Sequence, residues 1–299
     1  MPSAPADRAG LAAGLTCYTA WGLLPLLLHQ VGAAGAAPFE IVGWRTLWSI
    51  PFALAIVAAT RRFGMLRSLA GSPRDLGVLL ASSALIAVNW SLYVWGVNSG
   101  QVLSASLGYY INPLLNMALG AVLFRERIGA AGLAAIALAS VGVALQAVAL
   151  GGFPWLSVGL ALSFTGYGLV RKRAVADAQT GLLVECLVLS VPAALYVGWL
   201  AHTGAGRFGT SLPVSAWLFV TGPATVAPLF LFSVAARRLP LSTLGFLQFV
   251  GPTLQFACGL AEGEALTPLR ALSFVFIWGG AAVFALGLLR GRALKAAAA

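Results

Sequence analysis

Between Leu76 and Phe124 the chain runs for 49 residues without a single Asp, Glu, Lys or Arg. A helix rises 1.5 Å per residue and a bilayer core is roughly 30 Å thick, so this run is too long for one crossing. The turn-forming cluster Asn98-Ser99-Gly100-Gln101 divides it into two helices. Ile128 to Val170 gives 43 more uncharged residues, divided in the same way at Gly151-Gly152-Phe153-Pro154. A soluble domain is about 25% charged, whereas here only 9% of 299 residues are charged and 60% are hydrophobic. No solvated surface can be built from that composition, which excludes a soluble enzyme, a disordered chain and a disulfide-rich secreted domain.

Extending the count predicts an all-α polytopic membrane protein with ten transmembrane helices. They fall near 10–30, 38–60, 76–98, 102–124, 128–150, 154–172, 181–202, 213–236, 241–261 and 269–290. Ala9 to Phe39 is free of formal charge and longer than a signal-peptide core, so it reads as a retained first span. Assigning loops alternately from a cytoplasmic N-terminus puts 15 of the 18 Lys and Arg on the inner side. Arg207 and Arg270 fall outside, and Arg45 lies within a span. The positive-inside rule then sets both termini in the cytoplasm. The net charge of +10 is accounted for by this bias and by anionic lipid. With no basic stretch longer than Arg171-Lys172-Arg173, nucleic acid is not an expected partner. Cys17, Cys186 and Cys258 lie in apolar runs without metal or disulfide spacing. His29 and His202 have no neighbouring ligands, and neither cofactor nor metal is expected.

Two segments half a chain apart are alike. Ser106-Leu107-Gly108-Tyr109-Tyr110-Ile111-Asn112-Pro113 opens span four, and Thr243-Leu244-Gly245-Phe246 leading to Gly251-Pro252 opens span nine. Each helix continues to a Glu, at Glu126 and Glu264, and Pro51 of span two matches Pro192 of span seven. The chain therefore divides into a cytoplasmic N-terminus (1–9), two five-helix repeats (10–150 and 154–290) and a cytoplasmic tail (291–299). Five is odd, so the repeats are inverted, the arrangement that lets one central site face either side in turn.

Asn89-Trp90, Trp95-Gly96-Val97-Asn98, Ala105 to Pro113, Tyr167-Gly168-Leu169-Val170-Arg171-Lys172, Gln179-Thr180-Gly181, Leu241 to Phe246 and Gly251-Pro252-Thr253 together carry a family likeness. With these blocks the chain resembles the RarD group of the EamA family, within the drug/metabolite transporter superfamily. Span nine departs from the pattern, being about one residue shorter before Gly263-Glu264, with Glu262 as an extra acid. The resemblance implies a ten-helix bacterial inner-membrane permease. Family members are labelled chloramphenicol-sensitivity or permease proteins, and relatives move amino acids and other small metabolites.

A charge inside a span is costly, which makes Arg45 the most informative residue. Glu40, five residues earlier, lies about 140° around the helix, so Arg45 needs a partner elsewhere. It either orients a substrate carboxylate or fixes a gate, or it is a structural arginine tied to helix-end carbonyls. Glu40 and Glu185 are the intramembrane acids that could carry a coupling proton, or else interfacial acids; Arg171, Lys172 or Arg173 would partner Glu185. Pro113 and Pro252 mark helix breaks near a midplane site. Trp21, Asn89, Trp90, Trp95, Tyr109, Tyr110, Asn112, Asn116, Tyr167, Gln248 and Gln255 are candidate lining residues, although packing between helices is the ordinary use of such groups. Trp155, Trp199 and Trp217 fit an aromatic belt. The expected function is a secondary transporter of a small organic metabolite or drug, amino-acid-like or chloramphenicol-like, exporting by alternating access, in contact with lipid and with proton coupling open. A uniport facilitator or channel is the alternative; an intramembrane enzyme lacks a paired acid and base.

Overall fold

The computed structural model describes residues 7–124, 129–171, 173–239, 243 and 247–297. Glu126, Lys172 and most of the 241–246 motif lie outside them, as do the side chains of Pro113 and Asn116. Among the described residues the structure is helical throughout: α1 (Arg8–Gly22), α2 (Leu24–Ala33), α3 (Pro38–Ala59), α4 (Phe63–Ala70), α5 (Pro73–Asn98), α6 (Val102–Phe124), α7 (Ala130–Ala149), α8 (Trp155–Arg171), α9 (Ala178–Thr203), α10 (Leu212–Arg238), α11 (Val250–Ala261) and α12 (Pro268–Ala297). Helices α1 and α2 together make the first of ten membrane segments, α4 is a short connector, and each other helix supplies one segment. Among the described residues, six segments are individually long and apolar enough to cross a bilayer. The even count puts the start of α1 and the end of α12 on one face, called here the terminal face.

In lipid every backbone polar group must be satisfied within the protein, and the helix ends show how. Asp7 caps α1 by accepting from Gly10 N, Ser72 caps α5 from Asp75 N, and Asp177 caps α9 from Gln179 N and Thr180 N. Helix α9 stops at Gly204, whose φ of 70° only glycine adopts cheaply. Helix α12 continues to Ala297 through the stretch expected to form a tail, since nothing after Pro268 breaks a helix.

Packing follows a pseudo-two-fold pattern. Segment two lies on seven (α3 on α9), four on nine (α6 on α11) and five on ten (α7 on α12). One on eight (α1 on α10) is mirrored by six on three (α8 on α5), and one on nine by six on four. This is the contact map of two inverted five-helix units. The α7–α12 seam depends on small residues: a methyl on Gly142 would meet Ser273 O at 2.8 Å, and one on Gly280 would meet Ala135 O at 2.9 Å.

The expected helix breaks are not where prolines suggested. Pro113 does not interrupt α6, and Pro252 falls in the first turn of α11, where its missing N–H costs nothing. Pro51, Pro192, Pro223 and Pro228 also sit inside continuous helices. A proline deletes one hydrogen bond, whereas full unwinding would strand several polar groups in hydrocarbon. The real interruption is at Leu23, between α1 and α2. Pro25 cannot donate to Trp21 O, and Leu26 N turns instead to Leu23 O. The released carbonyls are taken up by segment nine: Gln255 Nε2 donates to Trp21 O at 3.2 Å and Cys258 Sγ to Gly22 O at 3.7 Å.

Candidate functional site

Arg45 stands seven residues into α3, about 10 Å below the helix start, and is only 4% exposed. Its Nε donates to Thr225 Oγ1 of α10 at 2.6 Å, and its guanidinium lies over the Trp90 ring of α5, 4.6 Å from the centroid. Nη1 is buried with no acceptor among the described residues. Helices α3 and α10 approach closely here because Gly222 has no side chain: a Cβ would fall 2.6 Å from the Trp48 backbone. Ser49 returns its hydroxyl to Arg45 O at 2.7 Å, so the arginine is fixed from three helices.

A second group adjoins it. Asn89 Nδ2 donates to Leu160 O and Ser163 Oγ of α8 at 3.2 and 3.1 Å, while Asn89 Oδ1 accepts from Tyr109 Oη of α6 at 3.1 Å. Tyr93 packs edge-on to Tyr109 with centroids 5.5 Å apart, and Tyr109 meets Phe164, which in turn meets Tyr167. These aromatic contacts lead from Arg45 toward the terminal face.

Glu185 lies at the end of that path, seven residues into α9 and wholly buried. Because α3 and α9 pack together and enter from opposite faces, Arg45 and Glu185 occupy equivalent depths in opposite leaflets. Glu185 accepts from Ser82 Oγ at 2.6 Å and from Tyr167 Oη at 3.2 Å, and Arg171 Nε lies 3.7 Å away. Gly181 has no Cβ because the Arg171 guanidinium occupies that space. The chain also pairs Arg62 with Asp177 at 3.4 Å beside this cluster. Arginine pairing was the sequence expectation for Glu185, although its burial is deeper than an interfacial acid would show.

Glu40 is equally buried but committed elsewhere. Its Oε1 accepts from Arg207 N at 2.7 Å and Phe208 N at 3.1 Å, fastening the α9–α10 loop to α3. In the same way Glu264 accepts from Val102 N and Leu103 N at the start of α6. Burial holds the Glu264 carboxyl above the usual carboxylate range despite those donors.

Of the expected lining residues, Arg45, Asn89, Trp90 and Tyr109 converge, and Tyr167 joins the Glu185 group. Tyr93, Thr225 and Ser163 belong to the site without having been singled out; neutral residues among many in apolar helices give no signal by themselves. Trp95 is a correction: it is 41% exposed and lines a cleft of about 230 Å³ with Phe153 and Trp155 on the opposite face. Five residues carry it about 140° around α5 from Trp90. Tyr110 is a second correction, bonding Thr253 at 2.6 Å and packing on Phe249, Phe274 and Trp278 between α6, α11 and α12. Trp21 packs with Tyr18 and Phe232, and Gln255 serves the Leu23 break. Gln248 lies half-buried in a turn before α11. Asn112 is buried with no partner among the described residues, and Asn116 presents no described side chain to compare.

Residues 8–148 match the EamA-like transporter family. The chain is 45% identical to an uncharacterized transporter of Pseudomonas aeruginosa over 83% of both chains. It is 38% identical to Protein RarD of Escherichia coli over 83% of this chain and 84% of that one. A chloramphenicol-sensitive protein RarD of Pseudomonas aeruginosa is 30% identical over 87% of each. A solved crystal structure superposes with a TM-score of 0.60 at 20% identity, covering 95% of this chain and 99% of the other, which fixes the fold alone. With ten helical segments in this arrangement and relatives at such identity over most of its length, the chain belongs to the EamA family of multi-pass membrane transporters, as a RarD-like permease.

Proposed function

We propose that the protein is a secondary carrier that moves a small organic metabolite or drug across the bacterial cytoplasmic membrane by alternating access, with both termini in the cytoplasm. The observation that carries this reading is Arg45: a buried cation with an unused donor, on a helix that packs against its own inverted counterpart. In a two-fold unit of this kind, exchanging the conformations of the halves opens one site to each side in turn. The lining is neutral and aromatic around a single cation, which suits an amino-acid-like solute or a chloramphenicol-like one better than an inorganic ion. The lining offers donors and aromatic faces to a bound solute, so binding and release are the chemistry this reading assigns to the site.

Glu185 is our assignment for the coupling group, in preference to Glu40. Glu40 holds a loop through two backbone donors, whereas Glu185 is held by the side chains of Ser82, Tyr167 and Arg171 from two other helices. A change at Glu185 is therefore transmitted to α5 and α8. The test is counterflow in proteoliposomes with labelled chloramphenicol and labelled amino acids. Saturable, trans-stimulated exchange is expected, and flux that grows linearly without saturation refutes the carrier. Glu185→Gln should abolish stimulation by an imposed pH gradient, with Glu40→Gln retaining it.

A further inference from the structure

Glu185 has its arginine; among the described residues, Arg45 has no acid within ion-pair distance. Among the described residues the ionisable side chains that act on Arg45 are those of Tyr109, Tyr93 and Cys186, none of them a carboxylate. Among the described residues no Asp or Glu oxygen lies within 4.0 Å of its guanidinium. A cation taken out of water without a counter-charge is strongly disfavoured, and such groups persist where a partner anion arrives to complete them. Thr225 already accepts from Arg45 Nε, and the Tyr109 hydroxyl is spent on Asn89. Left without a partner among the described residues are Arg45 Nη1, which can only donate, and the hydroxyl of Tyr93, which is 3% exposed and can donate as well as accept; the Glu262 carboxylate also acts on that hydroxyl.

We propose that, when one half swings open, this cluster takes the carboxylate of a small organic monoanion, with Arg45 Nη1 and Tyr93 Oη donating to its oxygens and the rings of Trp90, Tyr93 and Tyr109 bounding its apolar part. The proposal rests on the carrier reading and narrows it to a substrate class. A carboxylate has two oxygens to accept from the two donors, and the contact to Arg45 Nη1 is charge-assisted. Three aromatic walls favour a flat, apolar remainder over a second polar group. Arg45 and Tyr93 are closed to both faces here, so the anion enters when one half swings open.

The test uses two nearly isosteric probes that differ in charge, benzoate and benzamide, with sodium chloride as the inorganic anion. Ligand-dependent thermal stabilisation of the purified protein gives apparent affinities. Benzoate is expected to bind at least about tenfold more tightly than benzamide, a margin set by one charge-assisted contact. Chloride should neither stabilise the protein nor compete with benzoate. Arg45→Gln should erase the difference between the probes. Should that variant fail to fold, Tyr93→Phe preserves the packing and should weaken benzoate several-fold with benzamide unchanged. Equal binding of the two probes by the unmodified protein, competition by chloride, or an unaltered benzoate affinity in Tyr93→Phe overturns the proposal. Saturable exchange of a neutral solute by a protein indifferent to benzoate would remove this inference and keep the carrier; benzoate binding without exchange of any solute would do the reverse.

Discussion

Replacing Gly222 by alanine adds one methyl group where α10 crosses α3. The added carbon would lie 2.6 Å from Trp48 backbone atoms, whereas ordinary contact begins near 3.4 Å. Trp48 is held by its own helix and cannot turn aside as a flexible side chain would, so the two helices must separate by about 0.8 Å. That displacement stretches the Arg45–Thr225 hydrogen bond from 2.6 Å to about 3.4 Å, beyond the useful range. Overpacking of this kind costs about 1–3 kcal/mol. At about 2–4 °C per kcal/mol for a chain of this size, the unfolding midpoint in detergent should fall by several degrees. The control is Gly279→Ala on α12, where no atom lies within 4 Å of the added carbon. There the helix propensity of alanine should leave stability unchanged or raised by up to about 1 kcal/mol. Scans at one fixed heating rate make the comparison fair for a protein that unfolds irreversibly. Equal midpoints for the two variants would refute the argument that the α3–α10 crossing is set by backbone contact.

Three further outcomes follow from the polar contacts. Glu185→Ala strips Arg171 of its carboxylate and leaves the Tyr167 hydroxyl without its acceptor, while Ser82 keeps Leu79 O; a loss of about 3–5 kcal/mol is expected, with Glu185→Gln costing less, read as the thermal midpoint. Gln255→Leu deprives Trp21 O of its donor at the Leu23 break and should cost about 1–3 kcal/mol, while Gln255→Glu at neutral pH should cost at least as much because it cannot donate. Burial raises the folded-state pKa of Glu264, so the folded chain binds its proton more tightly than the unfolded one. Its contribution to stability is therefore full below the ordinary carboxylate value and is lost as pH rises through the raised value. Glu264→Gln should flatten the stability–pH curve in that window, and an unchanged slope would refute the assignment.

The segment count was legible because charge is excluded from hydrocarbon, and a long uncharged run can be satisfied only by helices. Arg45 was legible for the same reason. Its partner was not: Thr225 is one of many neutral residues in an apolar helix, and only tertiary packing brings α10 to α3. The misplacement of Trp95 was avoidable, since the angular rule that separates Glu40 from Arg45 also separates Trp95 from Trp90. Prolines were poor guides to helix breaks, as the membrane penalises unwinding more than it does one missing bond. Pro25 was the exception because Gln255 and Cys258 stand ready for the carbonyls it releases, and those two residues lie 234 and 236 positions beyond the carbonyls they meet. The His29–Glu262 contact at 3.8 Å was hidden in the same way, by separation along the sequence.

The glycine seam between α7 and α12 has a mechanical consequence. Where backbone oxygens stand within 3 Å of the place a methyl would occupy, two helices cannot slide or roll without colliding, and weak Cα–H···O contacts reward the register they already have. Segments five and ten should therefore behave as a stationary spine joining the two halves, with their amides the slowest in the chain to exchange with deuterium. In the proposed carrier, the opening and closing strokes are then left to the remaining eight, which would turn about that fixed post.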